Sequence, residues 1–335
     1  MRKAYHFFLA AILTGASLLS LTACGPKAKA SVLTPVTLNE VAHSIFYAPQ
    51  YAAIELGYFE DEGINLTLVN GAGADKVMTA LISGDADIGF MGSEASIYTY
   101  ANGSKDYAVN FAQLTQRAGN FLVGRDNQPN FKWTDLKGKK VIGGRAGGMP
   151  QMVFEYILKK NGIDPVTDLS IDQRINFGLT AAAFTSNDAD YTVEFEPFAT
   201  GLEKEGSGHV VASLGVDSGY IPYTAYSAKK SYLEKNPETI QKFTNAIQKG
   251  LEYVNSHSSE EIAKVIQPQF KETDVATIAT IIERYKAQDT WKKDTVFAKD
   301  SFELLENILE ESGQLKERVP YEELVTTTYS EKAAK

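Results

Sequence analysis

A short apolar strand, a glycine turn and an amphipathic helix follow one another from residue 36 onward, and near Trp133 the same succession begins again. Residues 36–41 read as a strand. Pro49 then opens a helix at the position where its missing N–H is harmless, and that helix runs to Leu56, with Gly57 as its stop. Residues 64–68 alternate apolar and polar side chains with the two-residue period of a strand. Gly71-Ala72-Gly73 turns the chain into a helix whose Ala74, Val77, Met78, Leu81 and Ile82 share one face, and Gly84 closes it. Residues 86–90 form the next strand, leading through Gly92-Ser93-Glu94 into another helix. The second round has a strand at 139–142, a glycine-rich loop at 143–148 and a helical stripe of Pro150, Val153, Phe154, Ile157 and Leu158. That stripe stops at Asn161-Gly162-Ile163, an echo of Glu62-Gly63-Ile64. Strands that each feed a helix favour mainly parallel sheets covered on both faces, so two such rounds predict an α/β protein of two lobes with a cleft between them. Beyond Tyr232 the chain turns helical at 237–255, 259–267, 273–286 and 300–311. The stripes Ile278, Ile281, Ile282, Tyr285 and Phe302, Leu305, Ile308, Leu309 are expected to cover a lobe and to carry no chemistry.

The first residues are an address. Arg2 and Lys3 precede an apolar stretch over 7–21, the charged and hydrophobic regions of a secretory signal, too short for the roughly 20 residues a spanning helix needs. The stretch ends in Leu21-Thr22-Ala23-Cys24-Gly25, which resembles a bacterial lipoprotein lipobox; that resemblance implies diacylglycerol on Cys24 and removal of residues 1–23. Cys24 is the single cysteine, which excludes intrachain disulfides and any cysteine-built metal or iron–sulfur site. Four histidines make a histidine metal cage improbable, and neither a metal nor a cofactor is expected. A formal charge of −9 with no long basic tract argues against nucleic acid as a partner.

Ligands of open α/β sheets gather beyond the C-terminal ends of the strands, which selects the loops 43–51, 71–75, 92–96, 115–119, 143–151 and 191–197. Gly71-Ala72-Gly73, Gly92-Ser93 and Gly147-Gly148 each precede a helix, where free N–H groups can meet an anionic or carbonyl oxygen; equally, Ser93 can be an N-cap and the glycines turns. No dinucleotide fingerprint, Walker lysine, nucleophile elbow or His-Glu-x-x-His motif occurs. The loop Gly143-Gly144-Arg145-Ala146-Gly147-Gly148 lacks the Lys-Ser/Thr ending of a phosphate loop and is read as a ligand-approach loop bearing an arginine.

The run from His43 to Ile64, followed by Met78-Thr-Ala-Leu-Ile-Ser-Gly-Asp-Ala-Asp-Ile-Gly89, resembles substrate-binding proteins of ABC importers, in the group that includes the taurine, alkanesulfonate, nitrate and thiamine-pyrimidine-precursor binders. The likeness extends through Trp133-Thr-Asp-Leu-Lys-Gly-Lys-Lys-Val141 and Asp188-Ala-Asp-Tyr-Thr-Val-Glu-Phe-Glu-Pro197. It implies the type II periplasmic-binding-protein fold, two crossings between the lobes, hinge closure on a solute and delivery to a permease driven by a separate ATPase. The organisation it implies is a signal segment at 1–23, a tether at 24–34, a first lobe of 35–118 and 225–335 and a second of 119–224. Carried onto matching positions, the site would comprise Ser44, Phe46, Tyr47 and Gln50 from the first loop and Gly92, Ser93 and Glu94 from the next. The second lobe would add Arg145, Gly147, Gly148, Met149, Tyr191 and Glu194. The aromatics among these can equally be core.

Charge separates the candidate solutes. A sulfonate needs several donors converging on its oxygens, which Ser93, Arg145 and helix-start amides could supply, yet Glu94, Glu194 and Glu196 would repel it unless they face away or meet an amine. Aromatics with carboxylates suit an amino-heterocycle such as a thiamine-precursor pyrimidine, and that is the expected ligand; a taurine, alkanesulfonate or nitrate-type anion is the alternative. The expected protein is a membrane-anchored, extracytoplasmic monomer that performs no chemistry. A fungal pyrimidine-precursor synthase resembles the same family, but that resemblance depends on a cysteine-rich iron-binding segment, and this chain has one cysteine.

Overall fold

The computed structural model describes residues 32–176 and 178–335; the signal segment, Cys24 and most of the tether lie outside them. Among the described residues, ten strands form two five-stranded sheets. The first contains β1 (Thr34–Glu40), β2 (Ile64–Asn70), β3 (Ile88–Gly92), β4 (Ala108–Thr115) and β10 (Thr224–Lys229), in the order β2-β1-β3-β10-β4. The second contains β5 (Phe121–Gly124), β6 (Lys140–Ile142), β7 (Ser170–Asp172), β8 (Tyr191–Glu194) and β9 (His209–Ser213), in the order β7-β6-β8-β5-β9.

Both sheets are mixed, and for one reason. β1 lies parallel to β2 and β3, whereas β10 runs antiparallel to β3 and β4. β6 lies parallel to β7 and β8, whereas β5 runs antiparallel to β8 and β9. The reversed strand in each sheet is the first one built after the chain crosses over from the other sheet. A chain leaving β4 at its C-terminal end stands at the seam between the lobes, so it enters the second sheet from the seam and must run against its neighbours. The return from β9 to β10 repeats this. Four strands of five still share one direction in each sheet, as the strand–helix alternation predicts.

Local signals placed the elements closely. The helix Ala48–Glu55 carries Pro49 in its first turn, after a 3-10 turn over Ile45–Tyr47 that Ser44 caps by accepting from the Phe46 N–H. Gly84 ends the helix Ala74–Ser83 at φ 87°, in the left-handed conformation that glycine adopts without strain. Ile82 departs from expectation: it is 39% exposed, and Val77, Met78 and Leu81 alone form the buried stripe. The late helices Pro237–Ser256, Ser259–Ile266, Val275–Ala287 and Lys299–Glu311 begin and end within two residues of the expected bounds. Two of them do more than cover a lobe. From Val275–Ala287, Arg284 reaches Glu196 and Glu203 at 2.6 Å each and the Tyr285 hydroxyl donates to the Gly119 carbonyl; from Lys299–Glu311, the Glu311 carbonyl accepts from Lys159 of the second lobe at 2.6 Å. Among the described residues no helix is long and apolar enough to cross a membrane.

The helix Pro237–Ser256 lies against Ala48–Glu55 so closely that a Cβ added to Gly250 would stand 2.2 Å from the Pro49 carbonyl oxygen. In a free helix Gly→Ala stabilises by about 1 kcal/mol. Here the sign reverses. Gly250→Ala should destabilise the protein by about 1–3 kcal/mol, as overpacked cores do, and a melting temperature at or above that of the parent would contradict this packing.

Candidate ligand-binding cleft

The C-terminal ends of the strands of both sheets face each other, and the structure is closed across them. The Ser44 hydroxyl donates to the Glu196 carbonyl at 3.0 Å, Arg145 meets Asp75 at 3.0 Å, and the Tyr98 hydroxyl reaches the Met152 sulfur at 3.5 Å. Each of these contacts joins the first lobe to the second.

Glu94 lies at the centre of this seam. It opens the helix Glu94–Ala101 directly after β3, and it is only 3% exposed. Its own backbone N–H and that of Met149, the first residue of the helix Met149–Lys160 in the opposite lobe, are near enough to favour its charged form. Its Oε2 is buried and has no hydrogen-bond partner among the described residues. A Cβ on Gly92 would stand 2.1 Å from that oxygen, so glycine at 92 makes room for the carboxyl. Burial raises the Glu94 pKa to about 8, because the charged form loses its hydration and no lysine or arginine offsets the loss. Tyr47, Tyr98 and Tyr223 are near enough for the Glu94 charge to disfavour their own ionisation.

Glu194 closes β8 and is 1% exposed; it accepts from Thr180 at 2.8 Å and from Thr192 at 2.6 Å, and burial raises its pKa to about 7. Glu196 differs. Its carboxyl accepts from the Thr200 N–H at 2.9 Å, the Thr200 hydroxyl at 3.0 Å and Arg284 at 2.6 Å, so its charge is neutralised inside the protein. These three buried carboxyl groups therefore divide into one paired with a cation and two without.

The other expected site residues separate by environment. Ser93 donates to the Pro222 carbonyl at 2.5 Å and makes no side-chain cap, so its hydroxyl belongs to the crossing between the lobes. Tyr47 is buried with its ring edge-on to Phe90 at 4.5 Å. Phe46 is a core wedge, packed among Tyr47, Phe195, Tyr223 and Tyr285, with its carbonyl accepting from the Trp291 indole at 2.8 Å. Gln50 is not brought to the seam: its amide donates to Glu40 at 2.7 Å and accepts from Tyr226 at 3.0 Å, within the first lobe. Tyr191 begins β8, at the end opposite Glu194, and its hydroxyl donates to Gln128 at 3.0 Å. Arg145 has a side chain 52% exposed and is tied to Asp75, which its guanidinium holds below the usual carboxylate range. Gly147, at φ 80°, gives its N–H to the Gln151 side chain at 2.9 Å, and Gly148 leads into Met149 without a side-chain cap of its own.

Several seam residues escaped sequence reasoning. Asn39 is the penultimate residue of β1, and its Oδ1 is buried without a partner among the described residues. It lies four residues before the first loop selected by the strand-end rule, at 43, which a wider window would have included. Tyr98, Asn120 and Tyr223 carry no local signal; the Tyr223 hydroxyl donates to Asn120 at 2.7 Å across the two crossings. A surface groove along β6 and β7 also contains charges, but its Lys140 and Asp188, and its Arg174 and Asp172, are already paired with each other. Among the described residues no three histidine, cysteine or acidic side chains gather to hold a metal.

A two-lobed α/β clamshell closed over buried polar groups defines a periplasmic-binding-protein-like fold. Its solved counterparts include the alkanesulfonate-binding protein SsuA of Xanthomonas axonopodis pv. citri bound to MOPS, at 15% identity and a TM-score of 0.70, covering 88% of this chain and 99% of that one. The chain belongs to the NMT1/THI5-like family, whose profile matches residues 45–261. It is 46% identical over 313 residues to YtlA of Bacillus subtilis, which carries the name of a binding protein, covering 93% of each chain. It is 26% identical over 231 residues to the 4-amino-5-hydroxymethyl-2-methylpyrimidine phosphate synthase THI11 of Saccharomyces cerevisiae, covering 62% of this chain and 63% of that enzyme.

The two cation-free carboxyls give stability a direction with pH. Both ionise at 4.5 when unperturbed and are raised in the fold, so their contribution is complete below that value and is lost as pH climbs through about 7 for Glu194 and about 8 for Glu94. His43, raised mainly by its bond to Glu40, works in the same direction. Glu94→Gln should flatten the fall in melting temperature between about pH 5 and pH 8; an unaltered slope would show that Glu94 is not buried as described.

Proposed function

We propose that the protein is an extracytoplasmic solute-binding lipoprotein of an ABC importer, which captures a small molecule by hinge closure and presents it to a permease with its ATPase. Its address supports this: the signal segment and Cys24 would tether a monomer to the outer face of the membrane. Solute biases such a clamshell toward closure because half of its contacts exist only when the lobes meet. Family membership and the likeness to YtlA support a binding role, while the synthase likeness is confined to 62% of the chain at 26% identity.

One observation carries the choice of solute: the seam buries two carboxyl groups without cationic partners, beside tyrosine rings, while Arg145 is engaged in solvent by Asp75. That composition suits an amino-heterocycle, most simply a thiamine-precursor pyrimidine. Ring stacking contributes about 1–3 kcal/mol per base, and a carboxyl receives ring and exocyclic N–H groups. The alternative, a taurine, alkanesulfonate or nitrate-type anion, draws on the helix start at Met149; it lacks free donors, since Ser93 and Arg145 are both committed.

The test is a melting-temperature screen of the purified protein against pyrimidines, sulfonates and nitrate. A true solute at 100 times its Kd should stabilise by about 2.7 kcal/mol and compact the protein in solution scattering. Tyr47→Ala and Glu194→Ala should each weaken that solute by roughly five- to a hundredfold while the protein still melts cooperatively. A protein indifferent to every solute, or one that turns a solute over, would refute the proposal.

A further inference from the structure

We propose that Glu94 sets the sign of the solute's charge: the cleft accepts a molecule that brings a protonated nitrogen to Glu94, and it turns sulfonates and other anions away. The inference rests on the solute-binding reading above and goes beyond it, because it specifies the charge of the group that enters the seam.

Helix starts are ready-made anion seats, since their first N–H groups lack partners and carry the positive end of the helix dipole. The helix Met149–Lys160 begins at the seam with no side-chain cap from its own lobe. A carboxyl already stands beside this seat. Glu94 comes from the other lobe, and the Met149 N–H is near enough to favour its charged form, so an incoming anion would have to share the helix start with a carboxyl built into the first lobe.

One oxygen of that carboxyl lacks a donor. Oε2 is buried with no hydrogen bond among the described residues. The titratable groups that face it are Tyr98 from its own helix, Tyr47 from the loop after β1 and Tyr223 from the crossing into β10. None of them satisfies it: the Tyr98 hydroxyl goes to Met152 at 3.5 Å and the Tyr223 hydroxyl to Asn120 at 2.7 Å, and the Tyr47 hydroxyl makes no hydrogen bond among the described residues. No lysine or arginine contributes to its electrostatics. A buried carboxyl oxygen that the protein leaves unmatched needs its partner from outside, and a cation that takes the place of the carboxyl proton supplies donor and counter-charge together. Tyrosine rings around it favour a cation further, through their electron-rich faces.

The proton balances as follows. Below about pH 8, in the closed cleft without solute, Glu94 mostly carries a proton, because burial disfavours its anion. When an ammonium group enters, the carboxyl O–H bond breaks, the proton passes to solvent, and the carboxylate pairs with the N–H of the cation. A solute arriving as a neutral base takes that proton itself and ends in the same pair.

Three probes with one ring and three charges test this: benzylamine, benzyl alcohol and phenylmethanesulfonate, titrated into the full protein and followed by NMR and calorimetry near pH 8. The parent protein should hold the amine at least tenfold more tightly than the alcohol and should not hold the sulfonate. Calorimetry in two buffers of different ionisation enthalpy should show proton release with the amine, increasing as pH falls toward about 6. Glu94→Gln, which offers an N–H where the carboxyl offered an acceptor, should abolish the preference for the amine and the proton release. Glu94→Asp keeps the charge and should retain the preference, which separates a charge effect from a folding defect. Equal affinity for amine and alcohol, sulfonate binding by the parent, or an amine preference surviving in Glu94→Gln overturns the inference. If a pyrimidine from the screen above still binds and compacts the protein, the solute-binding reading stands without it.

Discussion

Burying a carboxylate without a cation costs more free energy than almost any other arrangement a side chain can adopt, and the seam between the lobes is organised around two such groups. Elsewhere the protein avoids that cost. Glu196 is met by Arg284 and two groups of Thr200, and Glu40 accepts from Gln50, Tyr51 and His43. Glu194 has only hydroxyl donors, and one oxygen of Glu94 has no donor. Proteins tend to confine such uncompensated groups to places where something else completes them, which makes the pair the candidate mark of a ligand site.

The seam is also where the two lobes hold each other. The cross-lobe contacts of Asp75 and Tyr98 are polar and only partly buried, and an exposed ion pair such as Arg145–Asp75 contributes about 0–1 kcal/mol. Contacts of that strength can be broken and remade. The hinge side is different: Phe46, Tyr223, Tyr285 and Trp291 pack together, and Arg284 and Tyr285 bond to the second lobe from a helix that lies against the first. Contacts between the lobes are therefore weaker around Arg145 and Tyr98 than around Arg284 and Tyr285.

Much of the fold was legible because its signals are local. Pro49, Gly57, Gly84 and Pro237 mark helix ends through backbone conformations that any fold must respect, and the stripes at Ile278 to Tyr285 and Phe302 to Leu309 report burial through the helical period alone. Ile82 shows where such a signal stops, since a helical face is wider than the core that receives it. The candidate site was legible only in part. Glu94 and Glu194 follow from the strand-end rule, but Gln50 and Tyr191 obey the same rule and bond elsewhere; Tyr98 reaches the seam one helical turn beyond Glu94, and Asn120 and Tyr223 reach it through chain crossings that no short window contains.

The amino-acid order by itself determined the alternation of strands and helices, the doubling of that pattern and the residue types at the strand ends, because these depend on dihedral preferences and on side-chain period within a few residues. Only the tertiary structure decided which carboxylates are neutralised. Glu196 and Arg284 are 88 residues apart in the chain, and Glu94 meets Met149 from the opposite lobe. Electrostatic partners are chosen by distance in space, and distance in space is the one quantity that a linear sequence does not carry.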